Sequence, residues 1–418
     1  MSNWKIKTSL FLNYFVFAIL LNSVGTVILL VQKSFDVTKS QVAVLEPFKD
    51  LSIAIVSFLV TSYITRIGYK RAMLIALGFI SVVCFLMPFT SSLIMVELLF
   101  AAIGSSFALI KMSVFGSIGL ITKDEKEHIS FMNFLEAFFG VGIVVSYFIF
   151  PLFIDKDNDA STSWLHVYYL LGSISSLAFI LLLLSPLDES ASKEKNGQNF
   201  IAEFLKMFQL MIYPLVIAFI LCAFFYVLLE QSIMSWLPTF NKEVLKLSKV
   251  LSIQMASILA ASSALGRVLA GIVLKRLNWL IVLVVCLVLA GVLVYFSMPA
   301  IETFIAGYKG NGISELKDVP LIAFVFPLIG LLLAPIYPAI NSLILSSLPK
   351  PQHGMMSGLI ILFSALGGST GSVITGNIFQ RYGGQTAFYF SLVPITILII
   401  GLFVFSRLHK KANKATTV

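Results

Sequence analysis

The sequence has 418 residues, of which 58% are apolar and only 12% charged, and it carries a formal net charge of +9. Soluble domains contain about 25% charged residues, so this composition excludes an ordinary soluble enzyme and indicates a polytopic membrane protein. The positive charge is spread thinly over loops and tail, which excludes a nucleic-acid interface, and four histidines and three cysteines are too few for a metal or disulfide framework.

Twelve apolar stretches are long enough to cross a bilayer, which takes about 20 helical residues. They lie at about 8–31, 42–65, 72–89, 93–121, 129–153, 164–185, 208–238, 248–273, 279–299, 319–346, 354–378 and 385–406. The longest charged linker separates the first six from the second six. The sequence therefore predicts an all-α integral membrane protein with twelve transmembrane helices in two pseudosymmetric six-helix bundles. We expect these bundles at 1–186 and 207–418, joined by a cytoplasmic linker at 187–206.

Lysines and arginines set the orientation of a membrane protein, because they concentrate in cytoplasmic loops. With the N-terminus inside, 17 of the 29 basic residues fall on the cytoplasmic side, 10 on the outer side, and Lys111 and Arg267 lie within spans. Both termini are therefore expected in the cytoplasm. The expected location is a bacterial cytoplasmic (inner) membrane.

Predicted helix 1 offers Asn22 as a polar candidate, and predicted helix 2 begins with a charged cluster of Glu46, Lys49 and Asp50. Glu46 and Asp50 are four residues apart and share one helix face. One interpretation is a partly solvated cluster near the outer surface. The other places Glu46 or Asp50 on the lining of an outer cavity.

Predicted helices 4 and 5 each carry an ionisable residue, Lys111 and Glu136, at membrane depth. A charge there costs about 2.5 kcal/mol or more, so such residues usually face a bundle interior or a wet cavity and have a partner. The short loop between the helices predicts antiparallel neighbours, and the depths of the two residues nearly match. A Lys111–Glu136 pair is expected either to fix helix packing or to handle substrate or protons.

Two loops occupy corresponding places in the predicted halves. Residues 61–71 read TSYITRIGYKR and residues 266–276 read GRVLAGIVLKR. Both resemble the helix 2–3 signature of the major facilitator superfamily, in which basic side chains bridge the bundles on the cytoplasmic face. Thr65 stands where that family's acid usually sits. The resemblance implies a gate latch formed by Arg66, Lys70, Arg71, Arg267, Lys275 and Arg276.

Three further stretches are similar to the fucose and glucose/galactose proton symporters of that superfamily. They are residues 133–142 in helix 5, 225–238 in helix 7 and 330–342 in helix 10. Those symporters share acids on helices 1 and 4, whereas this sequence has no acid in helix 1 and has Lys111 about where the helix 4 acid would fall. A coupling acid, if the chain has one, must therefore lie elsewhere.

Predicted helices 7 and 10 supply the remaining candidates for substrate binding or proton coupling. Glu230 is placed about two turns from the outer end of helix 7, where a carboxyl suits reversible protonation, or where it stabilises a helix contact. Two prolines in helix 10 predict a bend that is tolerated where protein or a cavity satisfies the freed carbonyls. The other candidates on these two helices are Tyr226, Gln231, Tyr337 and Asn341.

Residues 367–371 of predicted helix 11 satisfy the G-x-S-x-G pattern of hydrolases. A nucleophile elbow needs a strand–turn–helix setting, which a membrane helix does not provide. Close helix packing by small residues explains the stretch. No enzyme activity is expected.

The sequence therefore predicts a secondary active transporter that works by alternating access, with substrate bound between the halves. The resemblance implies proton symport of a sugar or sugar-like solute. The first alternative is transport or export of an organic anion or amphipathic compound with Lys111 as counter-charge, and the second is a membrane receptor or sensor on the same fold. The expected partners are a small-molecule substrate, protons and the lipid bilayer, with a monomeric chain, no cofactor and no nucleic acid.

Overall fold

A computed structural model of the chain describes residues 4–61, 64–89, 92–122, 125–155, 157–187, 189, 207–274, 276–308, 310, 312–348 and 352–416. Regular structure in these ranges is helical, apart from an isolated bridge between Leu247 and Ile313. A helix satisfies its own backbone polar groups, which is why apolar sequence of this length adopts it in lipid.

The α-helices of the first half of the sequence are α1 Trp4–Asn22, α2 Val24–Ser34, α3 Lys39–Val42, α4 Leu45–Thr61, α5 Ile64–Ile67, α6 Tyr69–Leu86, α7 Leu93–Ile121, α8 Glu125–Ile149 and α9 Val167–Leu183. Those of the second half are α10 Pro214–Glu243, α11 Lys249–Val273, α12 Trp279–Gly307, α13 Ile322–Leu333, α14 Ile336–Ser346, α15 His353–Tyr389 and α16 Leu392–Thr416. Short 3-10 turns lie at Met87–Phe89, Phe150–Phe153, Ser163–His166, Leu210–Ile212 and Leu316–Asp318.

Each of the twelve predicted spans coincides with one helix or with two consecutive helices. Within the described ranges, ten helices are long and apolar enough to cross a membrane, and shorter apolar helices lie at Val24–Ser34 and Ala137–Phe153. The chain is an all-α integral membrane protein, as predicted. The expected bend of the tenth span is also present, because its helix ends at Leu333 and resumes at Ile336 after Pro335.

Some helix ends differ from the sequence prediction. Helix α10 continues through Pro238 to Glu243, so Glu230 lies near the middle of a 30-residue helix rather than two turns from its end. Helix α12 likewise continues through Pro299 to Gly307. Gly383 kinks α15 with φ 83°, a backbone conformation that glycine adopts without steric cost.

Backbone contacts divide the chain into two compact units. The first comprises Met1–Val37 and Phe48–Phe200, and the second comprises Thr38–Pro47 and Ile201–Val418. The chain thus leaves the first unit after Val37, packs with the second over ten residues, and returns at Phe48. We call Thr38–Pro47 the exchanged segment.

In the first unit, α1 packs against α8 and α9, and α6 packs against α7 and α9. Helix α8 was expected beside α7 and does contact it, but it packs more extensively along α1. The ring of Tyr14 on α1 lies 6.3 Å from that of Phe115 on α7 and 5.6 Å from that of Phe139 on α8. Aromatic residues of α1 therefore contact both helices and join them.

In the second unit, α10 packs closely on α15 and on α16, and α11 packs on α13. A Cβ added at Gly367 or Gly371 would collide with the carbonyl oxygens of Phe224 and Leu228 on α10. The packing explanation of the G-x-S-x-G stretch is therefore confirmed.

Candidate functional site

The second unit contains a cluster of aromatic and polar side chains at mid-helix depth. Tyr226 and Glu230 lie one turn apart on α10, and the Tyr226 hydroxyl donates a hydrogen bond of 2.9 Å to Oε1 of Glu230. Tyr226 is 1% exposed. This bond fixes the orientation of an acid that the surrounding apolar helix cannot solvate.

Helix α14 contributes Tyr337 and Asn341 to this cluster. The ring of Tyr337 stacks on that of Tyr226 with centroids 5.4 Å apart and an interplanar angle of 19°. The Tyr337 hydroxyl lies 2.8 Å from Oγ of Ser364 and within reach of Asn341, whose buried Oδ1 has no hydrogen-bond partner among the described residues. We call Tyr226, Glu230, Tyr337, Asn341 and Ser364 the tyrosine cluster.

Arg267 on α11 also belongs with this cluster. The sequence assigned it to the gate latch, but its guanidinium is close enough to act electrostatically on Glu230 and Tyr226. Its side chain is exposed.

Glu46 occupies a second buried polar site in the second unit. Its Oε1 accepts a 2.7 Å hydrogen bond from Nε2 of Gln231, and its Oε2 accepts a 3.0 Å bond from Oγ of Ser235. Glu46 is 1% exposed. Gln231 and Ser235 are one turn apart on α10, so one face of that helix presents two donors to one carboxylate.

Other contacts hold the rest of the exchanged segment. Lys39 forms a 3.1 Å ion pair with Glu243, and its backbone N–H donates to Gln380 at 3.0 Å. Oγ of Ser372 donates to the carbonyl of Ala43 at 3.3 Å. Contacts with α10 and α15 therefore run along the segment from Lys39 to Glu46.

Asp50 lies one turn beyond Glu46 and pairs with Lys49 at 3.4 Å. Lys49 and Asp50 are 6% and 8% exposed. The expectation of a partly solvated outer cluster is therefore wrong, because all three charged side chains of this stretch are buried. Asn22 uses its amide locally, donating to the carbonyl of Ala18 at 2.8 Å.

Lys111 on α7 is exposed and lies between two phenylalanine rings. Its ammonium is 5.9 Å from the ring centroids of both Phe107 and Phe115. The side chain of Glu136 lies outside the described part of the structure, so the Lys111–Glu136 pair stays a prediction.

The contacts of Lys70, one of the predicted gate-latch residues, lie within the first unit, and the latch itself stays a prediction. The Lys70 ammonium donates to the carbonyls of Leu183 and Ser185, at 3.0 and 2.7 Å, at the C-terminal end of α9. The Lys70 backbone N–H donates to Glu189 at 2.6 Å, so this acid caps the start of α6. Arg71 and Arg276 are exposed, and the side chains of Arg66 and Lys275 lie outside the described part of the structure.

Sequence reasoning missed Ser364, Ser235, Ser372 and Glu189. Ser235 follows Gln231 by four residues, and that spacing alone places both side chains on one helix face. Ser364 and Glu189 carry no local signal, because their partners are distant in sequence.

Comparison with known proteins places these features in a family. The family model described as Major Facilitator Superfamily matches residues 10–314. The chain belongs to the major facilitator superfamily, a family of membrane transporters rather than enzymes, as the two loop motifs predicted.

Individual relatives are distant. The chain is 22% identical over 381 residues to the protein described as "Protein TsgA homolog" of Buchnera aphidicola subsp. Schizaphis graminum (strain Sg), covering 90% of each chain. Among solved structures it is similar to a bacterial homolog of the human lysosomal transporter Spinster, with a TM-score of 0.76, 15% identity and 98% coverage of each chain. A D-xylose–proton symporter gives a TM-score of 0.73 at 12% identity, covering 96% of this chain and 97% of the other. The transporter FucP gives 0.60 at 16% identity, covering 96% and 98%. At these identities the solved structures share the fold.

Proposed function

We propose that this chain is a secondary active transporter that moves a small polar, sugar-like solute across a bacterial cytoplasmic membrane by alternating access, driven by protons. The tyrosine cluster carries this proposal. An ionisable side chain within a membrane helix is expensive to maintain, and it commonly marks a proton or substrate pathway. Glu230 has this position in α10, with Tyr226 and Arg267 as its neighbours.

The chemistry of the tyrosine cluster supports coupling of solute transport to proton movement. An ionised carboxylate is an acceptor, whereas a protonated one is also a donor. Protonation of Glu230 therefore changes the hydrogen bond that Tyr226 makes. Tyr226 stacks on Tyr337, whose hydroxyl contacts Ser364, so the change reaches the polar edge of the cluster.

The same groups suit a hydroxylated ring solute. Such sites combine apolar aromatic surface with a few placed polar groups. The half-buried ring of Tyr337, backed by the buried ring of Tyr226, provides the flat surface, and the unpartnered Oδ1 of Asn341 provides an acceptor for a solute hydroxyl. The D-xylose–proton symporter, which shares the fold, is a proton-coupled transporter by its description.

Purified protein in proteoliposomes tests this function. A panel of sugars and nucleosides is first screened by thermal shift, and each solute that stabilises the protein is then offered with an inside-alkaline pH gradient. We expect at least one solute to accumulate, and a protonophore to abolish the accumulation. Uptake that a protonophore leaves unchanged for every stabilising solute would refute proton coupling.

A further inference from the structure

Three polar side chains in the interior of the first unit have no hydrogen-bond partner among the described residues. They are Asn13 on α1, Ser81 on α6 and Ser175 on α9, with exposed fractions of 0%, 6% and 0%. Within the described ranges, neither the amide nitrogen nor the amide oxygen of Asn13 is paired. Burying a polar group without a hydrogen bond is costly, so each of these side chains needs a partner.

The two serines differ from another serine of α9. A serine in a helix commonly donates its hydroxyl to a backbone carbonyl about one turn earlier. Ser173 does so, donating to the carbonyl of Tyr169 at 2.7 Å. Ser81 and Ser175 make no such bond within the described structure. Their hydroxyls therefore require a partner outside their own helices.

Contacts between α1 and α9 place Asn13 and Ser175 at the same level. The hydroxyl of Ser9 donates to the carbonyl of Ala178 at 3.1 Å, and Ser23, just after α1, lies near the first turn of α9. The two helices are therefore antiparallel. Asn13 lies one turn after Ser9 and Ser175 lies one turn before Ala178, so the two are level. Four residues turn a helix by about 40° beyond one full turn, so Asn13 faces α9 as Ser9 does.

Contacts between α6 and α9 place Ser81 at this level as well. A Cβ added at Gly172 would meet the side chain of Cys84 at 3.2 Å, and one added at Gly78 would meet the ring of Phe179 at 3.5 Å. Ser81 lies midway between residues 78 and 84 on α6. The position opposite it is midway between residues 172 and 179 on α9, which falls at about residue 175.

Ser175 faces the region between the two helices that pack on α9. Ala178, which contacts α1, lies three residues after it, and Gly172, which contacts α6, lies three residues before it. A step of three residues changes the direction by about 60°, so Ser175 points between the directions of these two residues. Asn13 approaches from α1 and Ser81 from α6. The three polar groups therefore converge, although none of them hydrogen-bonds directly to another.

We propose that Asn13, Ser81 and Ser175 bind one structural water molecule, which joins α1 to α6 beside the middle of α9. A buried water typically makes about three hydrogen bonds to groups that are otherwise unsatisfied. One amide and two hydroxyls supply both donors and acceptors, as a water molecule requires. A cation does not suit the site, because the described helices α1, α6 and α9 contain no acidic residue to balance its charge. This inference concerns the first unit and does not depend on the solute or its coupling.

Thermal unfolding of the purified full-length protein in detergent tests the water site. Asn13→Leu and Ser175→Ala keep the side-chain size nearly unchanged, and each should lower the unfolding midpoint by about 2–4 °C, because each removes a hydrogen bond to the water. The double variant should lose less than the sum of the two falls, because both side chains bind the same water. Ser173→Ala is the matched control. The Ser173 hydroxyl bonds within α9, so its loss should add to that of Asn13→Leu.

Three results would overturn the proposal. A midpoint that fails to fall in Asn13→Leu or Ser175→Ala would show that the replaced group binds nothing, since removing an unsatisfied buried polar group is not destabilising. Strictly additive falls in the double variant would show that the two side chains do not share a ligand. Exchange of sodium chloride for choline chloride should leave the wild-type midpoint unchanged. A fall on this exchange that Asn13→Leu abolishes would assign the site to a sodium ion instead of water.

Discussion

Gln231 on α10 donates a 2.7 Å hydrogen bond to Glu46, a residue 185 positions earlier in the chain. Ser235, one turn further along α10, donates to the other carboxylate oxygen at 3.0 Å. Together they hold the end of the exchanged segment within the second unit. The chain on both sides of this segment belongs to the first unit.

We predict that Glu46→Gln loosens the exchanged segment. The amide is neutral and has one acceptor oxygen, so the two bonds that Gln231 and Ser235 donate to a charged carboxylate cannot both be kept. Bonds to a charged group contribute about 1.5–3 kcal/mol, which corresponds to a tenfold or larger rise in the detached fraction. The measurement is the rate at which a membrane-impermeant maleimide labels Ala43→Cys, at a position that is 0% exposed in the structure.

This labelling is done with the native Cys84, Cys222 and Cys286 replaced by alanine. Glu315→Gln is the matched control, because that carboxylate is 65% exposed and outside the segment. An equal labelling rate with and without Glu46→Gln would show that the carboxylate does not hold the segment.

Tyr226→Phe should reduce proton-driven uptake about tenfold, because it removes the hydroxyl that orients Glu230. Solute exchange without a gradient should be reduced less, since the aromatic ring that stacks on Tyr337 remains. The control is Tyr382→Phe, whose side chain is 68% exposed. Equal loss of both activities in Tyr226→Phe would make the hydroxyl a general structural group.

The start of α6 gives a prediction about stability. Gly68 is its N-cap, has φ 90° and has no side chain to cap the helix, and Glu189 accepts the Lys70 N–H instead. Replacing Glu189 with alanine should cost about 0.5–2 kcal/mol, the usual worth of an N-cap. The midpoint of thermal unfolding in detergent should fall, whereas Glu315→Ala should leave it unchanged. An unchanged midpoint for Glu189→Ala would mean that water replaces the cap without loss.

Gly68→Ala should be destabilising for two reasons. A Cβ there would lie 2.5 Å from Oε2 of Glu189, and the positive φ disfavours any L side chain. In the double variant with Glu189→Ala the collision is relieved but the backbone strain remains, so the two losses should not add. Strict additivity would show that the glycine and the acid act independently.

The fold was predictable because a membrane helix is specified by a local run of apolar residues. The errors concern the end of one helix and the main packing partner of another. The seventh predicted span stops at about residue 238, yet α10 continues through Pro238 to Glu243. The main packing partner of α8 was not predicted, because the short loop indicated α7 whereas the aromatic residue Tyr14 of α1 lies between the two helices and contacts both.

The candidate site was predictable residue by residue, but its connections were not. Tyr226 and Glu230 share a helix face by their spacing, and Tyr337 was singled out by the prolines around it. That Tyr337 stacks on Tyr226 depends on packing between helices more than 100 residues apart. The bond from Gln231 to Glu46 is of the same kind, and nothing local to either residue indicates it.

Solute-induced proton movement in Glu230→Gln proteoliposomes tests the central claim most directly. A pH-sensitive dye inside the vesicles reports protons that enter when a transported solute is added without a preset gradient. The account predicts inward proton movement with the wild type and with Glu315→Gln, and none with Glu230→Gln, while solute exchange across the membrane persists. Proton movement of equal size with Glu230→Gln would contradict the account.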